Sequence, residues 1–354
     1  MTDISQLSQN AITLLKHMIT VPSFSREEQG TAKLLQSFLQ SHGINPHREM
    51  NNVWATNKHF DPGKPSILLC SHHDTVKPNK DYTFNPFNPI EEAGKLFGLG
   101  SNDAGGCLVS LIAAFLHFYE RADLKANLVL LAAAEEEISG PNGVEAVLPE
   151  LGNIAYAIVG EPTQMQMAVA EKGLLVLDCE CTGRSGHAAR EEGENAIYKA
   201  VKDIEWFRTY EFPQVSVLLG NVKMSVTMIQ AGVQHNVVPA TCKFTVDIRV
   251  NDCYTHEDIL HTVGEHTSAI VTPRSLRLKP SRMEELHPLV QAGKKIGRNI
   301  IGSATLSDKA LMPFPALKIG PGDSARSHTA DEFIYTEEIS EGIDIYIQLL
   351  NEVL

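Results

Sequence analysis

The chain has 354 residues, of which 43% are apolar and 21% are charged, and its formal net charge is −13. This length predicts two domains, and the composition is ordinary for a soluble globular protein. The negative charge argues against a nucleic acid or an anionic membrane surface as a partner, and no apolar run reaches the roughly 18 residues that would span a bilayer.

The cysteines and the N-terminal residues indicate the compartment. The six cysteines form no CxxC pair, and several lie inside apolar runs, which is typical of reduced, buried thiols. The first residues have neither the basic start nor the apolar stretch of a secretory signal. We therefore expect a cytoplasmic protein without structural disulfides.

Two helices are predicted at the start of the chain. Apolar residues from Ile4 to Met18 recur at helical spacing, and Pro22 ends that helix. Ser25 and Glu28 have the spacing of a capping box, which would open a second helix that ends at Gly43. No functional residue is expected in this segment.

Four short apolar runs come next, at residues 66–70, 127–132, 155–159 and 316–319, with a helix predicted from Gly105 to Ala122. Such runs are typical of buried parallel strands in an α/β sheet. Between about residues 169 and 279 apolar and polar residues alternate instead, as expected for antiparallel strands with one solvated face. We predict an α/β catalytic domain with a mostly parallel sheet, formed by residues 1–168 and 280–354, and an inserted α+β domain at residues 169–279.

Histidines and carboxylates follow the apolar runs. They are His72 and Asp74, Glu135–Glu137, Glu161, and Asp323 with His328, while Asp103 lies in a glycine-rich stretch that enters a predicted helix. In an open parallel sheet, ligands bind beyond the carboxyl ends of the strands, so these groups should share one crevice. A single histidine is more often a surface or core residue, and three adjacent glutamates could be a solvated charge run. Their conjunction at several strand ends favours a metal centre.

The spacing within this set predicts finer detail. Asp74 would face the same way as His72 and accept a hydrogen bond from the ring nitrogen that points away from the metal, whereas His73 would face the other side. Nitrogen and oxygen donors without a thiolate suit Zn²⁺, with Co²⁺ or Mn²⁺ as alternatives. The glycine-rich stretch lacks the third glycine of a dinucleotide fingerprint, and no GxSxG elbow is present.

Together these motifs resemble the M20 family of metallopeptidases and deacylases, and within it the group of acetylornithine deacetylases and succinyl-diaminopimelate desuccinylases. The resemblance covers nearly the whole chain in order. It implies a di-zinc catalytic domain of the phosphorylase/hydrolase-like fold. It also implies that the inserted domain is a lid and the interface of a homodimer.

The resemblance implies roles for individual residues. His72, Asp103 and Glu161 would hold the first metal ion, and Asp103, Glu137 and His328 the second; Glu136 would be the general base and Asp74 the residue that orients His72. His187 would reach the active site of the partner subunit, and Asn236 and Arg249 would hold the substrate carboxylate. One departure is that Ala104 and Gly105 follow Asp103, where the family commonly has a lysine two residues after the bridging aspartate.

The expected reaction is hydrolysis of the amide bond of a small Nα-acylated amino acid. The stretches Glu135–Gly140 and Ala170–Gly173 look most like those of arginine-pathway deacylases, which favours acetylornithine, or acetyl- or succinyl-citrulline, in arginine biosynthesis. A succinyl-diaminopimelate desuccinylase and a di- or tripeptidase of the same family are the alternatives. A non-catalytic metal-binding protein is disfavoured because it would have no reason to keep Glu136.

Overall fold

The computed structural model describes residues 4–354, and the chain divides into two compact units. The first unit contains the residues up to Val169, together with Met283–Ile301 and Ser307–Leu354. The inserted unit contains Ala170–Arg282 and Gly302–Leu306. The short segment 302–306 therefore lies in the inserted unit, whereas the sequence pattern placed it in the first domain.

The helices and strands follow one another along the chain in three groups. Before the insertion come α1 (Ile4–Ile19), α2 (Gln29–Ser41), β1 (His47–Glu49), β2 (Asn52–Thr56), β3 (Ser66–His72), β4 (Ile90–Glu92), β5 (Lys95–Phe97), α3 (Gly106–Phe118), β6 (Asn127–Ala133), α4 (Val144–Val147) and β7 (Ile154–Val159). Next are β8 (Met167–Glu171), β9 (Gly173–Thr182), β10 (Gly186–His187), α5 (Ala196–Thr209), β11 (Lys223–Ala231), β12 (Val237–Val238), β13 (Thr241–Val250), α6 (His256–His266), β14 (Ile270–Pro273) and β15 (Ser281–Arg282). The last are α7 (Pro288–Lys295), β16 (Ile300–Ser303), β17 (Ala316–Lys318), β18 (Phe333–Tyr335) and α8 (Thr336–Val353).

The first unit is built on one large sheet in the order β1-β2-β6-β3-β7-β17-β8. The central pairs β6–β3, β3–β7 and β7–β17 are parallel, and the outer pairs are antiparallel. Every residue of β3 and β6 is buried, which is why these strands read as continuous apolar runs. The prediction of an α/β fold with a mostly parallel sheet is confirmed.

The inserted unit has an antiparallel sheet in the order β11-β13-β9-β14. Alternate residues of β9 are buried, and Leu175, Leu177 and Cys179 share a core with Phe207 of α5 and Val263 of α6. Burial of one sheet face beneath two helices explains the alternation of apolar and polar residues in the sequence. A smaller ribbon pairs β10 with β12.

The two N-terminal helices form as predicted, but the start of α2 differs. Its N-cap residue is Glu28, whose side chain makes no cap hydrogen bond, so the predicted capping box is wrong. Ser25 and Glu28 are instead hydrogen-bonded to residues far away in the sequence.

Within residues 4–354, no helix is both long enough and apolar enough to cross a membrane.

Candidate metal centre

The predicted ligands gather at the carboxyl edge of the parallel strands in the first unit. His72 is the last residue of β3, Glu135–Glu137 follow β6, and Glu161 follows β7. The Nε2 atom of His72 lies 3.2 Å from Oδ1 of Asp103 and 3.7 Å from Oε1 of Glu161. These three residues form the first cluster.

His328 lies in a second cluster. Its Nε2 atom is 3.0 Å from Oε2 of Glu137 and 3.7 Å from Oδ2 of Asp103. The two oxygens of Asp103 therefore face two different histidines, as a carboxylate that bridges two cations would. The structure brings together all five predicted ligands.

The donor set fits divalent cations. Ligand atoms of His72, Asp103 and Glu137 lie within 4.8 Å of one another, and so do those of His72, Glu136 and Glu161. Imidazole nitrogens and carboxylate oxygens without a thiolate are the ligands of Zn²⁺, Mn²⁺ and Co²⁺ in catalytic sites. Several carboxylates this close together, largely out of water, need positive charge to compensate them.

Without cations, protons supply that charge. Burial opposes the charged form of His72, but hydrogen bonds to Asp103 and Asp74 raise its pKa well above the ordinary value. The hydrogen bond to Glu137 raises the pKa of His328 to about 9. For Asp103, hydrogen bonding to His72 outweighs burial and lowers the pKa to about 2. A divalent cation that displaces these protons would meet the Asp103 carboxylate already ionised.

Asp74 contacts the ring of His72, chiefly through its main-chain carbonyl rather than through the predicted carboxylate. Nδ1 of His72 is 2.9 Å from the carbonyl oxygen of Asp74 and 3.5 Å from its carboxylate. The carboxylate accepts hydrogen bonds from the backbone N–H groups of Glu136 and Glu137, at 3.1 Å and 3.2 Å, and from the Ser25 hydroxyl at 2.7 Å. Asp74 thus connects the first histidine to the turn that carries the predicted base.

His73 faces away from the metal ligands, as predicted. Its ring nitrogens are 2.9 Å from the Thr31 hydroxyl and 2.9 Å from the carbonyl oxygen of Asn51. Burial lowers the pKa of His73 to about 4, so the ring is neutral near pH 7. It connects β3 to the N-terminal segment.

The glycine-rich loop that carries Asp103 is held by Glu332, a residue that the sequence pattern did not single out. The buried Glu332 carboxylate accepts hydrogen bonds from the backbone N–H groups of Gly100 (3.1 Å), Asn102 (2.8 Å) and Asp103 (2.9 Å). Gly100 has φ of 74°, a conformation that glycine adopts without strain. Burial and the nearby charge of Asp103 raise the pKa of Glu332 to about 8. The sequence signal that could have singled out Glu332 is its position shortly after His328.

Two further groups near the site escaped prediction. The buried Lys318, at the end of β17, has its Nζ atom 3.9 Å from Oε2 of Glu161, so a cation supports that ligand from within the sheet. Glu28, in the N-terminal segment expected to have no function, accepts a hydrogen bond from the backbone N–H of Glu135 at 3.2 Å. Neither belongs to a local motif that carries chemistry.

The three predicted residues of the inserted unit lie on its strands and ribbon. His187 pairs with Val237 across the β10–β12 ribbon, and the N–H of Ala188 donates to the carbonyl of Asn236 at 3.0 Å, so His187 and Asn236 are neighbours. His187 is exposed, and its Nδ1 accepts from the N–H of Ala189. Arg249 lies on β13 and forms a two-point ion pair with Asp247, at 2.8 Å and 3.1 Å.

The chain is similar in sequence and in fold to known proteins. A family model described as peptidase family M20/M25/M40 matches residues 68–352. The chain is 28% identical over 296 residues to the succinyl-diaminopimelate desuccinylase of Beijerinckia indica, covering 75% of this chain and 76% of that protein. It is 28% identical over 354 residues to the acetylornithine deacetylase of Proteus mirabilis, covering 91% of each. A dinuclear metal-binding peptidase of the M20 family from Bacillus subtilis has the same fold, with a TM-score of 0.74 and 15% identity over 98% of both chains.

Proposed function

Because the chain belongs to peptidase family M20/M25/M40 and is a hydrolase of linear amide bonds, we propose that it removes the acyl group from a small Nα-acylated amino acid. The substrate that we propose is acetylornithine, or acetyl- or succinyl-citrulline, in arginine biosynthesis. Support comes from the match to acetylornithine deacetylase over 91% of both chains. The site contains no thiolate or serine nucleophile among its predicted groups, which favours attack by water.

One observation carries the proposal: Asp103 lies between two clusters that each contain a histidine and a carboxylate. We propose that His72, Asp103 and Glu161 hold one Zn²⁺ and that Asp103, Glu137 and His328 hold another, with Co²⁺ or Mn²⁺ able to replace them. When bound, the ions would polarise the scissile carbonyl and make water acidic enough to ionise near pH 7.

Glu136 is the residue we propose as general base and acid. Burial raises the pKa of its carboxyl well above the ordinary value, and bound cations would lower this pKa again. A general base that also acts as the acid must take up and release a proton near the working pH. Its carboxylate lies 3.9 Å from Nε2 of His72, at the first cluster. Glu136 would take a proton from the attacking water and return it to the leaving amine.

The inserted unit would complete the site from a partner subunit. We propose that His187 stabilises the oxyanion of the tetrahedral intermediate and that Asn236 and Arg249 bind the substrate carboxylate. The exposed ribbon position of His187 next to Asn236 supports action of the two residues on one substrate molecule. An arginine suits a carboxylate because its guanidinium donates two parallel hydrogen bonds. Arg249 makes such a pair with Asp247, so the substrate carboxylate would have to replace that of Asp247.

A second copy of the chain is the partner that we propose. β11 is an edge strand of the inserted unit, and its Met228 and Ile229 are 62% and 59% exposed. On the neighbouring helix α5, Tyr198 is 71% exposed. An apolar edge strand invites pairing with another strand, and a homodimer through β11 would cover it. Replacing both Met228 and Ile229 with lysine should give monomers in sedimentation experiments and reduce turnover, if His187 acts across the dimer.

The substrate can be identified with one panel. Zinc-loaded protein would be assayed against Nα-acetyl and Nα-succinyl forms of ornithine and citrulline, succinyl-diaminopimelate, and several di- and tripeptides. Preference for one acyl-ornithine or acyl-citrulline would establish an arginine-pathway deacylase. Preference for succinyl-diaminopimelate, which the 28% identity to that desuccinylase makes the second candidate, or cleavage of peptides alone would refute the pathway assignment. Free cysteines at all six positions fit the reducing cytoplasm, where we place this reaction.

A further inference from the structure

The turn that carries Glu136 is held by an unusual set of hydrogen bonds. Four consecutive backbone N–H groups, from Ala134 to Glu137, each donate to a side-chain oxygen rather than to another backbone group. The acceptors, in order, are Asn52 (2.9 Å), Glu28 (3.2 Å), and the two oxygens of Asp74 (3.1 Å and 3.2 Å). The path of this turn is therefore set by side chains from elsewhere in the sequence.

Glu28 is the acceptor at the most demanding point of the turn. It bonds the N–H of Glu135, a residue in the left-handed region with φ of 54°. Such a conformation is uncommon for a residue other than glycine and persists where the surroundings fix it. The Glu135 side chain is also fixed, because it accepts from the amide of Asn142 at 2.9 Å.

Glu28 is itself rigidly placed. It is fully buried, and its two oxygens also accept from the backbone N–H of Arg26 (2.6 Å) and the side-chain amide of Asn51 (2.8 Å). The same short segment supplies Ser25, whose hydroxyl donates to Asp74. The segment thus supplies one of the two carboxylates that hold the turn and donates a hydrogen bond to the other, yet it precedes residue 68, where the family match begins.

We propose that Glu28 is a positioning residue for catalysis: it fixes the turn at Glu135 so that the carboxylates of Glu136 and Glu137 lie where the reaction requires them. This inference rests on the proposed role of Glu136 as general base. Without Glu28 the N–H of Glu135 is left buried without its acceptor, and the turn relaxes. A displacement of about 1 Å in a catalytic group can lower the rate by about 100-fold.

Three variants and a control test the proposal. Glu28→Ala removes the acceptor, and Glu28→Gln places an amide donor against the amide of Asn51. The double variant Glu28→Gln/Asn51→Asp restores a donor–acceptor pair at that contact. Glu27→Ala, at the exposed neighbouring position, is the matched control.

The first readout does not need a substrate. Amide hydrogen exchange of the zinc-loaded protein should be at least about tenfold faster at residues 134–137 in Glu28→Ala than in the unchanged protein or in Glu27→Ala. Unchanged exchange there would overturn the proposal, whether or not a substrate has been identified. If Glu28→Ala does not fold, Glu28→Met, which also lacks the acceptor but fills more of the buried space, serves in the same comparison.

The second readout separates positioning from a purely structural role. With the substrate that the unchanged enzyme cleaves, Glu28→Ala should lower kcat by about tenfold or more while KM changes less than about twofold. The double variant should recover most of the kcat lost in Glu28→Gln. A folded Glu28→Ala enzyme with unchanged kcat, or a loss that the double variant does not recover, would refute the positioning role. If the enzyme without any substitution cleaves no acylated amino acid, the proposed substrate class is refuted instead.

Discussion

Replacing Asp74 with asparagine tests how far the reaction depends on the turn after β6. One oxygen of Asp74 accepts from the N–H of Glu136, and the other accepts from the N–H of Glu137 and from the hydroxyl of Ser25. Asparagine has the same shape but a single acceptor oxygen. In the less costly orientation its oxygen serves Glu137 and Ser25, and its amide group faces the N–H of Glu136, donor against donor.

The magnitude follows from these contacts. A buried N–H without an acceptor costs about 1–3 kcal/mol, and loss of the charge weakens the remaining bonds by about 1 kcal/mol. A total of about 2–4 kcal/mol, expressed in the transition state, lowers kcat/KM by about 30- to 1000-fold. We therefore expect a decrease of about 100-fold in steady-state hydrolysis, with the bound zinc content retained.

Asp203→Asn is the matched control. Asp203 is a buried carboxylate of the inserted unit that accepts from the backbone N–H groups of Ser268 (3.1 Å) and Ala269 (2.9 Å). This variant should lower Tm but leave kcat/KM within about threefold of the unchanged enzyme. If Asp74→Asn also lowers Tm and leaves kcat/KM within about threefold of the unchanged enzyme, Asp74 only stabilises the fold and the reasoning fails.

Four further predictions concern single groups. Glu136→Gln should lower kcat by at least about 100-fold with metal content unchanged by elemental analysis, and near-normal turnover would exclude Glu136 as the base. Glu332→Gln replaces one of the two oxygens that accept backbone N–H groups of the Asp103 loop with an amide donor, so zinc affinity measured by chelator competition should fall about tenfold or more. The pKa of His328 is raised to about 9, and a cation binds only the unprotonated ring. The zinc affinity of the metal-free protein should therefore rise with pH up to about 9. A zinc affinity that is constant above pH 7 would contradict this prediction. His187→Ala should lower kcat by about 100-fold and leave the metal content unchanged, whereas normal turnover would make His187 a surface residue.

Local sequence pattern was enough to locate the central parallel strands and to single out the residues that cluster at the candidate metal centre. Strands buried on both faces must be continuously apolar, so the runs before His72, Glu135 and Glu161 marked β3, β6 and β7, and parallel strands end at one edge. The residue types then indicated a metal site, because histidine and carboxylate side chains at several such strand ends have few uses other than metal binding. The inserted unit was visible in the same way, from the change to alternating residues.

Which atoms meet depends on how the whole chain folds. Asp103 faces His72 with one oxygen and His328 with the other, although His328 lies near the opposite end of the sequence. Glu28 had the spacing of a capping box, yet it bonds Glu135 across the fold, because a buried carboxylate must satisfy both of its oxygens and an exposed helix end can use water. Spacing along the chain predicts which residues share a face of a helix or strand. Which side chain accepts a hydrogen bond from a buried N–H group depends instead on the packing of the whole unit.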